Sequence, residues 1–308
     1  GLRIINKSPR VGLKALIEKS GKTGELSISD LIFGVAPRIN AAGRINHGKK
    51  AVELLIETDI VKAKSISEEI EHHNIERKDL DQNITEEALS MINVNKKSTI
   101  VYSSDWHKGV LGIVASRLIE KHYKPTIVLS KDGDEFTGSA RSVKGFNLYD
   151  ALLQCDHLLE KFGGHKYAAG LSIKKNNLDS FIQEFEKVVS RTIKKDQLKA
   201  EIEVDIEISL DDINQKLYRI IKQFAPFGPK NRMPVFITKG VVDSGEGRKI
   251  GVDKSHLRLS LKTSNQKIQC IGFKMAHYFE KIIGDNKCNI CYSINENDWR
   301  GTKTLQLR

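Results

Sequence analysis

The sequence predicts a mixed α/β protein in which a long helix leads into an alternating α/β domain and an all-β domain follows. Three observations support this fold class. Apolar residues recur at helical spacing in a polar stretch that has neither glycine nor proline from residue 51 to residue 93. From about residue 96, compact β-branched runs alternate with amphipathic ones. After residue 200, alternating strands are divided by glycine and asparagine turns.

The first part of the chain is predicted to be helical. Residues 1–47 fit short helices and loops, and they close with the glycine-rich segment FGVAPRINAAGRINHG. Residues 48–95 fit one long connecting helix with a single narrow buried face. The apolar positions that define this face are Ile66, Ile70, Leu80, Ile84 and Ala88.

Residues 96–196 are predicted to form the α/β domain. STIVYS, PTIVLS and AAGLSIK fit strands, while GVLGIVASRLIEKH, LYDALLQCDHLLEKF and LDSFIQEFEKVVSRTI fit helices. Residues 197–308 contain the strand patterns EIEVDIEISL, MPVFITKGVVDSG, SHLRLSLKT, KIQCIGFK and NICYSINEND. Short strands with turn residues between them predict a small barrel or a sandwich.

The composition favours a partner that carries negative charge. Fifty Lys and Arg residues stand against 39 Asp and Glu residues, which gives a formal net charge of +11. Residues 201–308 hold 18 of the basic and 13 of the acidic residues, so the excess is not confined to a tail. Such a surplus is most simply matched by nucleic acid. No apolar run approaches the ~18 residues of a membrane span, no signal peptide is recognised, and the four cysteines fit a reducing compartment, so a cytoplasmic location is expected.

The segment GSARS is the first candidate for binding phosphate. Ser139 and Arg141 are two residues apart, so on a strand they share one face, and Ser142 follows them. A hydroxyl beside a planar guanidinium suits a cluster of anionic oxygens. The alternative is a surface strand with one solvated arginine.

FGGH is the second candidate. Gly163 and Gly164 would expose backbone N–H groups, and His165 would add a donor, which together form an anion site. The alternative places both glycines at the C-terminus of the preceding helix, with a histidine in the core.

Two further segments carry candidate residues. PRINAAGR contains Arg38, Asn40 and Arg44 in a polar, glycine-rich stretch, which predicts a loop that either clamps phosphate or is solvated. His107, in DWHKGVLGI, comes just before a predicted helix start, where anions are favoured.

Other patterns predict no chemistry. Cys288 and Cys291 have metal-ligand spacing but lack a second pair, and the adjacent His72 and His73 of a helix point in different directions. DGD, residues 132–134, is a turn between strands. No metal-binding cluster, nucleophile–base set or P-loop is recognised in the sequence. The pattern therefore favours binding phosphates over cleaving them.

Seven segments in order resemble the RecJ-like single-strand-specific exonucleases of the DHH/DHHA1 phosphoesterase superfamily. These segments are GVAPRINAAGRI, DWHKGVLGIVASRLIEKHYKPTIVLS, GSARSVKGFNLYDAL, CDHLLEKFGGHKYAAG, FAPFGPKNRMPVF, HLRLSL and IGFKMA. The resemblance implies the end of a DHH domain (1–47), a linking helix (48–95), a DHHA1 domain (96–196) and an OB fold (197–308). The chain begins without methionine and stops inside a strand pattern, so we expect a longer polypeptide and a C-terminally incomplete OB fold.

The resemblance implies a 5′-to-3′ single-stranded-DNA exonuclease of DNA repair and recombination that uses Mn²⁺ or Mg²⁺. The metal ligands of the family lie in upstream motifs that match no segment here, so the chain alone is expected to release no nucleotides. Single-stranded DNA is the implied partner, with a helicase or a single-strand-binding protein as further partners. In the predicted OB fold, Phe236, Phe273 and Tyr292 are candidates for stacking on bases, although core packing is favoured for each.

The resemblance also implies roles for individual residues. Ser139 and Arg141 match positions that hold the 5′-terminal phosphate, with Ser142 beside them. His165 of the FGGH signature lies near the scissile phosphate, and Arg44 contacts phosphate or stabilises the transition state. The catalytic candidates are thus Arg44 and His165, and the phosphate-binding candidates are Arg38, Asn40, His107, Ser139, Arg141, Ser142, Gly163 and Gly164.

Two other functions fit the same segments. A DHH/DHHA1 oligoribonuclease or cyclic-dinucleotide phosphodiesterase would share the GGH motif, but such an enzyme normally lacks an OB domain. A catalytically inactive nucleic-acid-binding scaffold would also lack metal ligands. Asp-x-Asp and Asp-His-His motifs in upstream sequence would favour the exonuclease.

Overall fold

The structure is a computed structural model that describes residues 1–299 and 301–308. It divides into two compact units, Gly1–Ala200 and Glu201–Arg308. No helix among the described residues is long and apolar enough to cross a membrane.

The first unit begins with six helices. They are α1 (Leu2–Lys7), α2 (Val11–Lys19), α3 (Ile28–Asp30), α4 (Ala36–Ile45), α5 (Lys49–Ile56) and α6 (Ile60–Ser90), and a π-helical turn at Leu31–Val35 leads into α4. The long helix starts at Ile60, later than expected, because the Asp59 side chain accepts the amides of Val61 and Lys62 and caps it there. Its predicted apolar face is confirmed, since all five positions pack into hydrophobic clusters.

The segment PRINAAGR is helical, so the predicted loop is wrong. Pro37 lies in the first turn of α4, where a proline has no hydrogen bond to lose. Ala41 and Ala42 are completely buried. Their small side chains allow α4 to pack closely against its neighbours, and this packing outweighs the low helix propensity of the glycine and asparagine.

The rest of the first unit is built around a five-stranded sheet. Its strands are β1 (Thr99–Ser103), β2 (Thr126–Asp132), β3 (Glu135–Arg141), β4 (Lys161–His165) and β5 (Ala168–Lys174), in the order β1-β2-β3-β5-β4. Only the β1–β2 pair is parallel among these neighbours. Helix α7 (Leu111–Lys121) packs with Val101 and Val128 on one face. Helices α8 (Leu148–Leu153) and α9 (Leu178–Thr192) contribute to the core on the other face. The DGD segment is the β2–β3 turn, as predicted.

The predicted helix LYDALLQCDHLLEKF is wrong beyond Leu153. A 3-10 turn follows at Asp156–Leu158, and the FGGH residues belong to strand β4. Gly164 has φ +151°, and a Cβ there would lie 2.3 Å from the Ala168 carbonyl oxygen. Only glycine fits this close approach to β5, so the two glycines are strand residues and not helix caps.

The second unit is mainly β-structure around its own apolar core. Its strands are β6 (Ile206–Glu207), β7 (Phe236–Val241), β8 (Arg248–Ile250), β9 (His256–Lys262), β10 (Lys267–Gly272), β11 (Cys288–Tyr292), β12 (Ile294–Trp299) and β13 (Thr302–Leu307). They form two sheets, β12-β13-β10-β9-β8 and β11-β7-β6. Two helices, α10 (Gln215–Gln223) and α11 (Phe279–Ile282), complete the unit.

The first predicted strand of this unit, EIEVDIEISL, is shorter in the structure. Only Ile206–Glu207 pair, with β7, and the preceding residues are exposed. Cys288 and Cys291 lie in strand β11, as the sequence predicts, and both thiols are free.

Candidate phosphate-binding site

Ser139 and Arg141 lie on the face of the sheet that helix α7 covers. Ser139 pairs with Val128, whose side chain packs with α7, and Arg141 follows two residues later on the same strand. A Cβ built on Gly112 of α7 would lie 2.7 Å from Arg141 Nη2 and 3.4 Å from Ser139 Oγ. The hydroxyl and the guanidinium therefore converge beside a helix position that has no side chain.

The Arg141 guanidinium has no carboxylate partner among the described residues. Its Nη1 donates to the neighbouring carbonyl oxygen of Ala140, at 2.9 Å. Burial lowers the pKa of Arg141 below its ordinary value, and the positive charge of Arg44 lowers it further. Both effects disfavour the charged form of Arg141, and no described carboxylate compensates its charge. An anion bound beside this half-buried guanidinium would supply the missing counter-charge.

Arg44 connects the end of α4 to the turn before α7. Its Nη1 donates to the Gly109 carbonyl oxygen at 3.1 Å, and a Cβ on Gly109 would lie 1.9 Å from the Arg44 carbonyl oxygen. The backbones are therefore in direct contact, which only glycine permits at position 109. This contact places Arg44 close enough to Arg141 for their charges to interact.

His107 caps the turn Lys108–Val110 that leads into α7. Its Nδ1 accepts the Gly109 amide at 3.1 Å, so the neutral ring carries its proton on Nε2. His107 is thereby held next to the residue that anchors Arg44. The sequence predicts this histidine at a helix start, and the structure places it there.

Strand β4, which contains FGGH, continues the sheet surface beyond β3 and Arg141, with β5 between the two strands. The strand register places Ser139, Gly170 and Gly163 in one row across the sheet. Arg141, Ala168 and His165 form the row two residues further along, on the same face. Because neighbouring strands are about 4.8 Å apart, β3 and β4 are separated by roughly 10 Å. The residues between them are glycine and alanine, which leaves room for an extended ligand along the sheet surface.

His165 lies at the exposed end of β4. Its Nδ1 accepts the Tyr167 amide at 3.2 Å, which orients the ring and leaves Nε2 as a donor.

Arg38 is used within the fold. It forms an ion pair with Glu71 and donates to the carbonyl oxygens of Gly34 and Lys19, and its side chain is 11% exposed. These contacts tie α4 to α2 and α6 and leave the guanidinium little capacity for a ligand. Its expected phosphate contact is therefore not retained.

Ser142 and Asn40, the remaining two candidates, have different environments. Ser142 donates from Oγ to the Phe146 carbonyl oxygen at 3.0 Å, so its hydroxyl proton serves a turn and not a ligand. Asn40 is exposed on α4, one helical turn before Arg44 and on the same side of the helix. It borders a groove between α4 and α5.

An arginine network that the sequence motifs do not indicate joins helices α6 and α7 beside this site. Asp81 of α6 is completely buried and contacts Arg117 Nη2 at 2.6 Å and Arg77 Nη1 at 3.6 Å. Burial lowers the pKa of Arg77; Asp81 opposes this change, whereas Arg117 and Arg44 add to it. The sequence does contain one indication of this network: Arg77 and Asp81 are four residues apart in α6, and Asp81 lies beside the apolar face of that helix.

The described residues include no group of three or more His, Cys, Asp or Glu side chains that could hold a metal ion. A divalent metal therefore has no such set of donor side chains among these residues. The geometry is that of a surface on which arginine, serine and backbone donor groups converge.

Two domain families match the chain. Residues 95–191 match the DHHA1 domain, and residues 204–308 match the RecJ OB domain. The second match identifies the β-rich unit as an OB fold, which was expected from the resemblance.

Curated relatives match over the whole chain. The single-stranded-DNA-specific exonuclease RecJ of Bacillus subtilis (strain 168) is 32% identical over 100% of this chain and 40% of its own length. The Haemophilus influenzae protein of the same name is 30% identical over 99% of this chain and 56% of its own length. The chain thus spans about half the length of these relatives.

A solved structure shows the same architecture. RecJ from Thermus thermophilus, crystallised in complex with Mn²⁺, is 26% identical, with a TM-score of 0.86 over 100% of this chain and 44% of that one. A second structure of the same protein holds Mg²⁺. The shared fold, both domain matches and the similarity over the whole of this chain show that it belongs to the RecJ family.

Proposed function

We propose that this chain is the substrate-binding part of a metal-dependent 5′-to-3′ single-stranded-DNA exonuclease of DNA repair and recombination. One observation carries the proposal: Ser139 and Arg141 converge beside Gly112 with no carboxylate partner for Arg141 in the described structure. A planar guanidinium beside a hydroxyl can hold two oxygens of a terminal phosphate. The names of the curated relatives support the substrate class.

The strand register suggests a division of roles across the surface. Ser139 and Arg141 hold the 5′-terminal phosphate. The backbone of Gly163 and Gly164, which carries no side chains, contacts the nucleotides that follow in the DNA. Arg44 and His165 stabilise negative charge at the scissile phosphate, Arg44 through its guanidinium and His165 through its Nε2 proton. Asn40 and His107 border the same surface and contribute polar contacts to the phosphate backbone.

The domain roles follow from the same proposal. Residues 1–47 form the DHH side of the cleft, residues 48–95 connect it to the DHHA1 domain (96–196), and residues 197–308 form the OB domain. The Mn²⁺ or Mg²⁺ named for the solved relatives would be bound by other parts of a complete enzyme. A DNA substrate implies a cytoplasmic protein, and a supply of single strands suggests a helicase or a single-strand-binding protein as partner.

Binding to single-stranded DNA should depend strongly on salt. Lysine and arginine contacts to phosphates release counterions, so log Kobs should fall linearly with log salt by about 0.7 per phosphate contacted. Fluorescence anisotropy of a 5′-phosphorylated strand across a salt titration measures this slope. An affinity that does not change with salt would rule out a phosphate-dominated interface.

Gly112→Ala should weaken phosphate binding without unfolding the protein. The new methyl group would displace the Arg141 guanidinium, whose Nη2 lies 2.7 Å from the position that the alanine Cβ would occupy. Alanine also favours a helix by about 0.8–1 kcal/mol over glycine, so the fold should tolerate the change. We expect affinity for a 5′-phosphorylated strand to fall about fivefold, the equivalent of one net hydrogen bond.

The matched control for this variant is Glu120→Gln, which changes an exposed residue of the same helix about two turns beyond Gly112. It should not lower affinity. If Gly112→Ala binds 5′-phosphorylated DNA as tightly as the unaltered chain, the phosphate is not held at this helix.

A further inference from the structure

Phe273 is an exposed aromatic ring in the OB domain. It directly follows strand β10, and 54% of its surface is exposed. Phe236 and Tyr292, the other two aromatic candidates, are buried in the core, as the sequence favours for them. Core packing therefore explains two of the three rings and leaves Phe273 without a structural role in the interior.

The ring of Phe273 is held between two polar groups. The His256 ring packs against it edge to face, with centroids 5.2 Å apart and an angle of 70° between the two planes. The Arg308 guanidinium lies 5.7 Å from the centroid of the Phe273 ring. Such cation–ring contacts are attractive and orient the aromatic face.

The turn that carries Phe273 is also fixed. The amide of Lys274 donates to His256 Nδ1 at 3.1 Å, and Lys274 itself has φ 57°, in the left-handed region. His256 is further bonded to Ser255 Oγ at 2.9 Å. The ring is thus presented on a constrained turn, which lowers the entropy lost when a ligand packs against it.

The neighbouring sheet surface is basic and polar. Leu257, Leu259 and Leu261 of β9 point into the core, so His256 and Arg258 point outward. The β8–β9 register places Arg248 beside Arg258, and Arg258 Nε donates to Gln269 of β10 at 2.7 Å. In OB folds, oligonucleotides bind to the face formed by the second and third strands and to the loops beside it.

We propose that Phe273 is a stacking platform for one unpaired nucleobase, with the adjoining phosphates near Arg258 and Arg308. This inference rests on the proposed function, because it requires a single-stranded ligand. A flat ring framed by a guanidinium and an imidazole suits a base, since every base presents an aromatic face and is flanked by negative phosphates. The basic surroundings favour nucleic acid over an apolar segment of a protein.

The test compares an ordinary single strand with an abasic strand of the same length and charge. Stacking on an aromatic residue contributes roughly five- to 150-fold in affinity per base, so Phe273→Ala should weaken binding of the ordinary strand by that factor. It should leave binding of the abasic strand unchanged, and Phe273→Trp should retain the affinity of the unaltered chain.

Phe224→Ala is the matched control, because Phe224 is a 61% exposed phenylalanine of the same unit that lies at the C-terminus of α10. It should have no effect on either strand. The platform is refuted if Phe273→Ala leaves the ordinary strand unaffected, or weakens both strands equally. Salt-dependent binding of the abasic strand reports on the phosphate contacts alone, so failure of the proposed function is measured separately.

Discussion

Arg141→Ala should erase most of the preference for a 5′-phosphate when it is introduced into a catalytically active protein that contains this chain. The guanidinium is half-buried, lies beside Ser139 Oγ, and lacks a carboxylate partner among the described residues. Charge-assisted hydrogen bonds contribute roughly 1.5–3 kcal/mol, or about ten- to a hundredfold in kcat/KM. The measurement compares kcat/KM on paired oligonucleotides that carry a 5′-phosphate or a 5′-hydroxyl.

Two further variants separate the role of Arg141 from general attraction. Arg141→Lys should recover only part of the preference, because a point charge cannot form the two parallel bonds of a guanidinium. Arg44→Ala should lower turnover on both kinds of end, because Arg44 is assigned to the scissile phosphate. If Arg141→Ala lowers kcat/KM equally on both substrates, the arginine is a general backbone contact and the terminal-phosphate assignment is wrong.

Asp81→Ala should strongly destabilise the first unit. The Asp81 side chain is completely buried and pairs with Arg117 and, more distantly, with Arg77. Removing one partner of a fully buried ion pair costs about 3–5 kcal/mol, and the 40% exposure of the Arg117 side chain places the expected loss at the lower end of this range. Arg77 would be affected most, because its side chain is only 12% exposed and already has Arg44 and Arg117 as positive neighbours. Urea unfolding of the variant measures the loss in the free energy of unfolding.

Asp79→Ala provides the control for this prediction. Asp79 lies on the same helix but is exposed, so its removal should change the free energy of unfolding by less than about 0.5 kcal/mol. Replacing Asp81, Arg77 and Arg117 together by apolar residues should restore much of the stability, since no buried charge then remains. A loss below about 1 kcal/mol for Asp81→Ala would show that the network does not hold α6 and α7 together.

Features that depend on local periodicity could be predicted from the sequence without any structure. The spacing of Ser139 and Arg141 predicted a shared strand face, and the apolar stripe of α6 predicted its buried side. The turn at residues 132–134 and the helix start after His107 also followed from residue type. These features are set by interactions between residues close in the chain, so a single sequence is sufficient to find them.

Only the tertiary structure shows which side chains and backbone segments are available to a ligand. Arg38 and Arg44 lie six residues apart in one helix, yet Arg38 is neutralised by Glu71, a residue 33 positions away. FGGH is a strand because β5 pairs with it, and Phe273 is exposed because the core excludes it while accepting Phe236. The spacing of residues along the sequence predicts the face of a helix or strand on which each residue lies. Whether that side meets a counter-charge, a neighbouring strand or solvent depends on contacts between distant segments, and only the tertiary structure contains them.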